Sequence, residues 1–237
     1  MENIMSKEYK GKAVVGGVGT GKVKIIDCSC PEFKIREVED SDRELGRFVR
    51  ALKTFCDNCR KEIEYIEENI GHNEAVILNS HITMTHDLAL QTELISKISD
   101  GMCAEQATCE ICDSYIKRFL GDNNDIIRQL YLDVLDVEIS ILHLLLGIDE
   151  PEVSHFDEDT VIVAYELTPS IVAKLDQEHT KGIVVDKGTF NSHGAKIAAK
   201  MNIPSVSSVK NVDRLVKDGD IVTVDGENGI LIVKNED

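Results

Sequence analysis

The sequence is short of positive charge: 26 lysines and arginines stand against 43 aspartates and glutamates, which gives a formal net charge of −17. Nucleic acids and anionic membranes bind basic protein faces, so this balance argues against both as partners. A basic protein or a small ligand is favoured instead. Residues 33–148 hold 22 acidic and 12 basic side chains, an excess that suits docking to a basic protein.

Long hydrophobic runs are also missing. The best candidate for a membrane span, residues 141–148, is interrupted by His143, whereas a spanning helix needs about 20 apolar residues. Residues 1–8 contain no apolar signal region. We therefore expect a cytoplasmic protein, whose 237 residues are enough for one large domain or two small ones.

The seven cysteines are an odd number in a chain without an export signal, so we expect reduced thiols. The pairs Cys56/Cys59 and Cys109/Cys112 have the spacing of zinc ligands. Both lie within helical hydrophobic patterns, whereas zinc-binding pairs usually come from tight turns. We therefore assign these cysteines to a helical core and predict no metal site.

Proline is absent between residues 34 and 147, and this stretch shows helical spacing of apolar residues almost throughout. The pattern predicts five helices: a long one ending near Ile70, then runs at 73–84, from 87, at 104–120 and at 126–145. Glycines mark the helix ends, at Gly71, Gly101, Gly121 and Gly147.

Strand patterns flank this helical region on both sides. They occur within residues 10–30 and again at 160–164, 182–185, 220–224 and 229–233, the last two forming a hairpin. Short helical runs cover 170–175 and 195–201. The simplest architecture is one α/β domain, residues 1–32 and 149–237, interrupted by a helical domain at 33–148.

Residues 16–22, with the sequence GGVGTGK, match the spacing of a phosphate-binding loop. Such a loop needs Ser or Thr after the lysine and a helix that begins there. Val23 follows Lys22 instead, and the chain continues as a strand. The segment is therefore interpreted as a glycine-rich turn between strands, and a nucleotide-binding function is disfavoured.

The most informative stretch is residues 188–206, which places Ser192 and His193 between an apolar strand and a short helical run ended by Pro204. The N–H groups and the dipole at the start of a helix favour an anion. Imidazole is a nucleophile that forms covalent intermediates. The pattern therefore predicts a histidine that accepts a phosphoryl group.

The same stretch resembles the active-site signature of Enzyme I of the bacterial phosphoenolpyruvate-dependent sugar phosphotransferase system. That signature runs Gly-Gly-x-Thr-Ser-His, then small and apolar residues, then Ile-Pro or Leu-Pro. The matching residues are Gly188, Ser192, His193, Ala195, Ala198, Ile203 and Pro204. The resemblance covers nearly the whole chain and the N-terminal half of the family. Pyruvate phosphate dikinase shares the signature, as does phosphoenolpyruvate synthase, but the helical insertion points to Enzyme I.

This resemblance implies an α/β swivelling phosphohistidine domain interrupted by an all-α helical domain, which docks the phosphocarrier HPr. It implies that His193 is the phosphorylated nucleophile and that the Thr168 hydroxyl orients it. Ser192 and Asn191 are expected to cap the following helix and present backbone N–H groups to the phosphate, with Gly194. Lys196, one turn later, adds positive charge.

The resemblance also aligns Ser80 and His81 with the family's Gly-His pair, and Asp87 with its downstream acid. We therefore expect His81 and Asp87 to belong to the HPr-docking surface. Leu135 stands where the family has an arginine.

The signature itself is altered at Thr189, Phe190 and Asn191, and Lys196 replaces a usually apolar residue. The alternative to phosphoryl transfer is therefore a divergent or non-catalytic module that binds a carrier protein.

The family's second half, a barrel that binds phosphoenolpyruvate and magnesium, has no counterpart in this sequence. We therefore expect that the chain alone does not take phosphate from phosphoenolpyruvate, and that it contains no cofactor. Because dimerisation belongs to that second half in the family, the chain is predicted to be a monomer.

Overall fold

The computed structural model describes residues 6–188 and 192–234. They form two compact units, one drawn from Met1–Cys28 and Pro151–Asp237 and the other from Ser29–Glu150. The first is an α/β unit and the second is all-helical. The predicted architecture, an α/β fold interrupted by a helical insertion, is confirmed.

A mixed sheet forms the α/β unit. Its strands in chain order are β1 Ser6–Lys10, β2 Lys12–Val15, β3 Val18–Ile25, β4 Thr160–Ala164, β5 Thr180–Val185, β6 Ser205–Ser207, β7 Ile221–Asp225 and β8 Ile230–Lys234. Their order across the sheet is β1-β8-β7-β3-β4-β5-β6-β2. The pairs β3–β4, β4–β5 and β5–β6 are parallel, and the remaining pairs are antiparallel. The predicted hairpin is β7–β8.

In the described part of this unit, three short helices join the strands: α7 Pro169–Ala173, α8 His193–Lys200 and α9 Val212–Leu215. Helix α7 connects β4 to β5, and α8 connects β5 to β6. Every residue of β4 is buried, as expected of a central parallel strand covered on both faces. Because β4 and β5 are parallel, the segments that lead into α7 and α8 start from the same edge of the sheet.

The core of the α/β unit is rich in valine, whose branched side chain suits a pleated surface. Its buried members are Val23, Val161, Val163, Val184, Val206, Val209, Val212, Val216, Val222, Val224, Leu231 and Val233.

The glycine-rich segment near the N-terminus is part of the sheet. Gly19 lies in β3, where a side chain would overlap the backbone carbonyl of Lys181. Lys22 is also in β3 and pairs with Glu158, with 2.7 Å between Nζ and Oε2. The glycines therefore allow close backbone packing. As predicted, the residues directly after Lys22 continue the strand β3 and do not begin a helix.

The helical unit is built from α1 Ser41–Asn69, α2 His72–Thr85, α3 Leu88–Ser99, α4 Ala104–Leu120, α5 Asp125–Gln129 and α6 Tyr131–Leu146. Residues 26–40, which precede α1, contain neither helix nor strand. None of the described helices is both long and apolar enough to cross a membrane.

Helix ends follow local side-chain chemistry. Asp40 caps α1 by accepting a hydrogen bond from the Arg43 N–H at 3.0 Å. Gly147 ends α6 in the left-handed region, at φ 66°, a conformation that glycine adopts without strain.

The fifth predicted helix is two helices. Leu130 ends α5 and also precedes α6 as its N-cap residue. The apolar face continues across this break, so hydrophobic periodicity does not reveal it.

Apolar faces of four helices, α1, α3, α4 and α6, form the buried core cluster of the helical unit, and cysteines belong to it. Cys56 and Cys59 are each 5% exposed within this cluster, as predicted from their position on α1. Other members are Phe48, Phe55, Leu90, Leu94, Ile98, Ile111, Val137 and Ile141.

A buried ion-pair network joins the first turn of α1 to the start of α4. Glu44 Oε1 accepts hydrogen bonds from Arg36 Nη2 at 2.6 Å, Arg47 Nη2 at 2.8 Å and the Ala104 N–H at 2.7 Å. Arg47 Nη2 also donates to Glu105 Oε2 at 2.6 Å. Burial acts to raise the pKa of Glu44, but the hydrogen bonds from Arg47, Arg36 and Ala104 outweigh it and lower the pKa to about 2.

Candidate functional site

His193 is the first residue of α8, and its side chain is half-buried. Ser192 precedes it as the N-cap residue, with extended backbone geometry at φ −62° and ψ 156°. The Ser192 hydroxyl accepts a hydrogen bond from the Ala195 N–H at 3.2 Å. The cap predicted for Ser192 is therefore present, and the histidine lies where the first N–H groups of the helix have no intrahelical acceptor.

Thr168 lies on the segment that packs against the start of α8. It is the N-cap residue of α7, is 2% exposed, and precedes Pro169 at the first helical position. Helices α7 and α8 are in contact. A methyl group placed on Gly194 would lie 3.6 Å from the Leu167 carbonyl oxygen and 3.9 Å from Pro169 Cα. These are ordinary van der Waals distances, so the fold places Thr168 and His193 on adjacent, packed segments.

The other residues predicted to bind phosphate have different positions. Lys196 is exposed on α8, three residues after His193, and residues three apart lie on one face of a helix. Asn191 lies outside the described residues, as do Thr189 and Phe190.

His81 is in the interior of the helical unit, at 2% exposure. Its Nε2 atom lies 3.3 Å from Asp133 Oδ1, and its Nδ1 atom lies 3.9 Å from Asp136 Oδ2. Burial acts to lower the pKa of His81, but the hydrogen bond to Asp133 and the charges of Asp136, Asp133 and Glu62 outweigh it and raise the pKa.

The surface position predicted for His81 is therefore wrong. Two carboxylates on α6 hold the His81 ring inside the bundle. A short motif match in a single sequence does not reveal such a contact between helices. Asp87 is exposed and caps α3, accepting hydrogen bonds from the N–H groups of Ala89 at 2.9 Å and Leu90 at 3.0 Å.

A groove opens on the helical unit beside Asp87. It has a volume of about 520 Å³. Four helices contribute its lining: Val76, Asn79, Ser80, Thr83 and Met84 from α2, Asp87 and Leu90 at α3, Tyr115 and Phe119 from α4, and Val134 from α6. Val76 is 54% exposed, so apolar surface faces solvent here.

Sequence reasoning missed a cluster of two thiols and a carboxyl group in the helical unit. Cys30, Cys109 and Glu138 come together with their sulfur and oxygen atoms all within 4.8 Å of one another. Burial raises the pKa of Glu138 to about 7, although hydrogen bonds from Cys109 and Cys30 act to lower it. Three residues so distant in sequence give no spacing signal. Cys109 lies in a cluster with Cys30 and Glu138, and Cys112, its partner in the zinc-like spacing, does not belong to that cluster.

Two known protein families match this chain, and their matches include residues of both units. The family described as PEP-utilising enzyme, mobile domain, matches residues 156–229. The family described as PEP-utilising enzyme, N-terminal, matches residues 10–129. The first match contains Thr168 and His193, and the second contains His81 and Asp87.

Curated relatives match nearly the whole chain. The phosphoenolpyruvate-protein phosphotransferase of Listeria monocytogenes is 33% identical over 234 residues, which are 97% of this chain and 40% of the relative. That of Enterococcus faecalis is 32% identical, over 98% of this chain and 41% of the relative. The chain thus spans about 40% of the length of these relatives.

Solved structures show the same fold. The NMR solution structure of an Enzyme I protein matches with a TM-score of 0.74 and 27% identity, over 97% of this chain and 94% of that chain. The N-terminal domain of a nitrogen Enzyme 1 matches with a TM-score of 0.63 and 22% identity, over 96% of this chain and 94% of that chain. The second match shows the fold alone.

Proposed function

The chain belongs to the family of Enzyme I, the phosphoenolpyruvate-protein phosphotransferase, whose N-terminal part it matches, and we propose that it transfers a phosphoryl group through His193. The acceptor is the histidine of the phosphocarrier HPr or a related carrier, and the same transfer runs in reverse. Phosphoenolpyruvate is the original donor, through a barrel domain that would also hold the magnesium. The predicted cytoplasmic location and monomeric state belong to this proposal.

One observation carries the proposal: His193 begins α8 beside the Leu167–Pro169 segment, within the part matched by the mobile-domain family. Both segments follow parallel strands, and ligands of such sheets bind at the carboxyl ends of the strands. The histidine begins a helix and is only half-buried.

The chemistry follows from this placement. One ring nitrogen of His193 must be unprotonated to attack phosphorus, while the bond between phosphorus and the carrier's histidine nitrogen breaks. We assign the Thr168 hydroxyl the role of orienting the ring. The first-turn N–H groups of α8 and the charge of Lys196 stabilise the phosphoryl oxygens, since phosphoryl transfer depends mainly on positioning and electrostatics.

Docking of the carrier is proposed for the groove beside Asp87. It combines apolar side chains from four helices with the Asp87 carboxylate at its rim. Leu88, next to Asp87, is 79% exposed. The acidic excess of the helical unit complements a basic carrier and speeds its association. His81 supports this surface from inside, because its ring ties α2 to α6.

The test is to mix the protein with phosphorylated HPr and to measure intact mass under neutral or alkaline conditions. We expect a gain of one phosphoryl group that is lost in acid. His193→Ala should abolish the gain. His155→Ala should retain it, because that histidine is exposed in the same unit and lies outside the site. Thr168→Val is expected to slow the gain, and Thr168→Ser to restore most of it.

The alternative function, a carrier-binding module without transfer, gives a different result. HPr would bind to the protein and to His193→Ala equally, and neither would gain mass. Absence of both binding and transfer would refute HPr as the partner.

A further inference from the structure

The thiol–carboxyl cluster of Cys30, Cys109 and Glu138 joins three segments of the helical unit. Cys30 lies in the irregular segment before α1, Cys109 on α4 and Glu138 on α6. The Cys30 Sγ atom lies 3.4 Å from Glu138 Oε1. All three donor atoms lie within 4.8 Å of one another.

These distances fit the ligands of one tetrahedral zinc ion. Zinc–sulfur bonds of about 2.3 Å and zinc–oxygen bonds of about 2.1 Å place sulfur and oxygen ligands roughly 3.6 Å apart at the tetrahedral angle. The separation of Cys30 Sγ and Glu138 Oε1, 3.4 Å, is close to that value. The other two separations are at most 4.8 Å, so these atoms would need to approach one another by no more than about 1 Å to bind the ion.

We propose that Cys30, Cys109 and Glu138 bind a zinc ion, with water as the fourth ligand. Two thiolates favour zinc over magnesium or calcium, which prefer oxygen ligands. Cys30 and Cys109 are only half-buried, so one side of the cluster faces solvent and gives the ion and the water a path in.

The carboxyl group distinguishes this proposal from a disulfide between the two thiols. Glu138 is 3% exposed, and it accepts a hydrogen bond from the Cys30 thiol. A disulfide would remove the thiol donors and leave this buried group without their hydrogen bonds, which is unfavourable. A metal ion uses all three groups at once.

The role that we assign to the proposed zinc ion is structural. Residues 26–40 contain neither helix nor strand, and Arg36 ties this segment to α1 through Glu44. Zinc would fasten that segment to α4 and α6 through Cys30. This site is separate from His193 and does not depend on the proposed phosphoryl transfer.

The experiment is a zinc titration of the reduced protein against a competing chromophoric chelator, with cobalt as a spectroscopic probe. We expect one ion per chain and thiolate-to-cobalt charge-transfer absorption. Cys30→Ser, Cys109→Ser and Glu138→Gln should each weaken zinc binding by at least about 10-fold. Cys56→Ser is the matched control, since Cys56 is a buried cysteine of α1 outside the cluster, and it should leave the affinity unchanged.

Three results would overturn the proposal. They are no stoichiometric zinc binding, binding that all three substitutions leave intact, or cobalt spectra without thiolate bands. A mass lower by two hydrogens before reduction, together with absence of zinc binding after reduction, would assign the thiols to a disulfide instead. The cobalt spectrum of the unmodified protein decides the question even if a variant fails to fold.

Discussion

Replacing Glu44 by Gln tests whether the buried ion-pair network stabilises the helical unit. The pKa of Glu44 is lowered from 4.5 to about 2 by Arg47, Arg36 and the Ala104 N–H. Each unit of pKa corresponds to about 1.36 kcal/mol, so the charged carboxylate contributes about 3 kcal/mol at neutral pH. Removal of one partner of a buried ion pair has a similar effect.

The sign of the pH dependence follows from the direction of the shift. Because the pKa of Glu44 is lower in the folded state, its contribution is present above pH 4.5 and is lost as pH falls towards 2. The stability gap between the unmodified protein and Glu44→Gln should therefore shrink by about 2 kcal/mol between about pH 7 and pH 3.

The assay is urea unfolding followed by far-UV circular dichroism at both pH values. Glu110→Gln is the matched control: Glu110 lies exposed on α4 and pairs with Lys97 at 2.7 Å. Its effect should stay within about 0.5 kcal/mol. A Glu44→Gln gap that is the same at both pH values would show that the Glu44 carboxylate does not stabilise the folded state.

Two further predictions concern His81 and Ser192. His81→Gln should destabilise the protein by about 3 kcal/mol at mildly acidic pH, because Asp133 and Asp136 lose their buried partner. The pKa of His81 is raised on folding, so this loss of stability should be full below about pH 6.5 and should fade as pH rises through the folded pKa. Urea unfolding measures the loss, and a loss that grows with pH would contradict the prediction. Ser192→Ala should reduce the free energy of unfolding by about 1 kcal/mol, because the hydrogen bond from the Ala195 N–H is lost. An unchanged urea midpoint would show that the cap does not contribute to stability.

Most of the helical unit follows from the sequence, because amphipathic helices with clear ends have a strong periodic signal. The fourth predicted helix, 104–120, coincides with α4, and the long first helix ends at Asn69, next to the predicted Ile70. The helical spacing predicts a helix from about Lys34, but α1 begins only after the Asp40 cap.

Two short strands, β1 and β6, could not be predicted in the same way. The sequence of β1 is SKEYK, and most of its residues are exposed. It is a strand because it pairs with β8, a contact distant in sequence. Strand β6 has only three residues, Ser205–Ser207, which is too few for a periodic pattern.

The residues of the candidate site also differ in whether the local sequence or tertiary packing determines their position. His193, Ser192 and Thr168 lie at strand-to-helix junctions, which local sequence patterns mark well. The sequence does not reveal that His81 is buried, because the charges that hold it, on Asp133 and Asp136, belong to another helix. Contacts made by tertiary packing alone therefore account for what the sequence did not reveal.

The most direct test of the proposed function is to map the phosphoryl group after reaction with phosphorylated HPr, by tandem mass spectrometry of peptides prepared without acid. The proposed transfer requires that the group is on His193 and that His193→Ala stays unmodified while still binding HPr. Modification of another histidine, or equal labelling of His193→Ala, would contradict it.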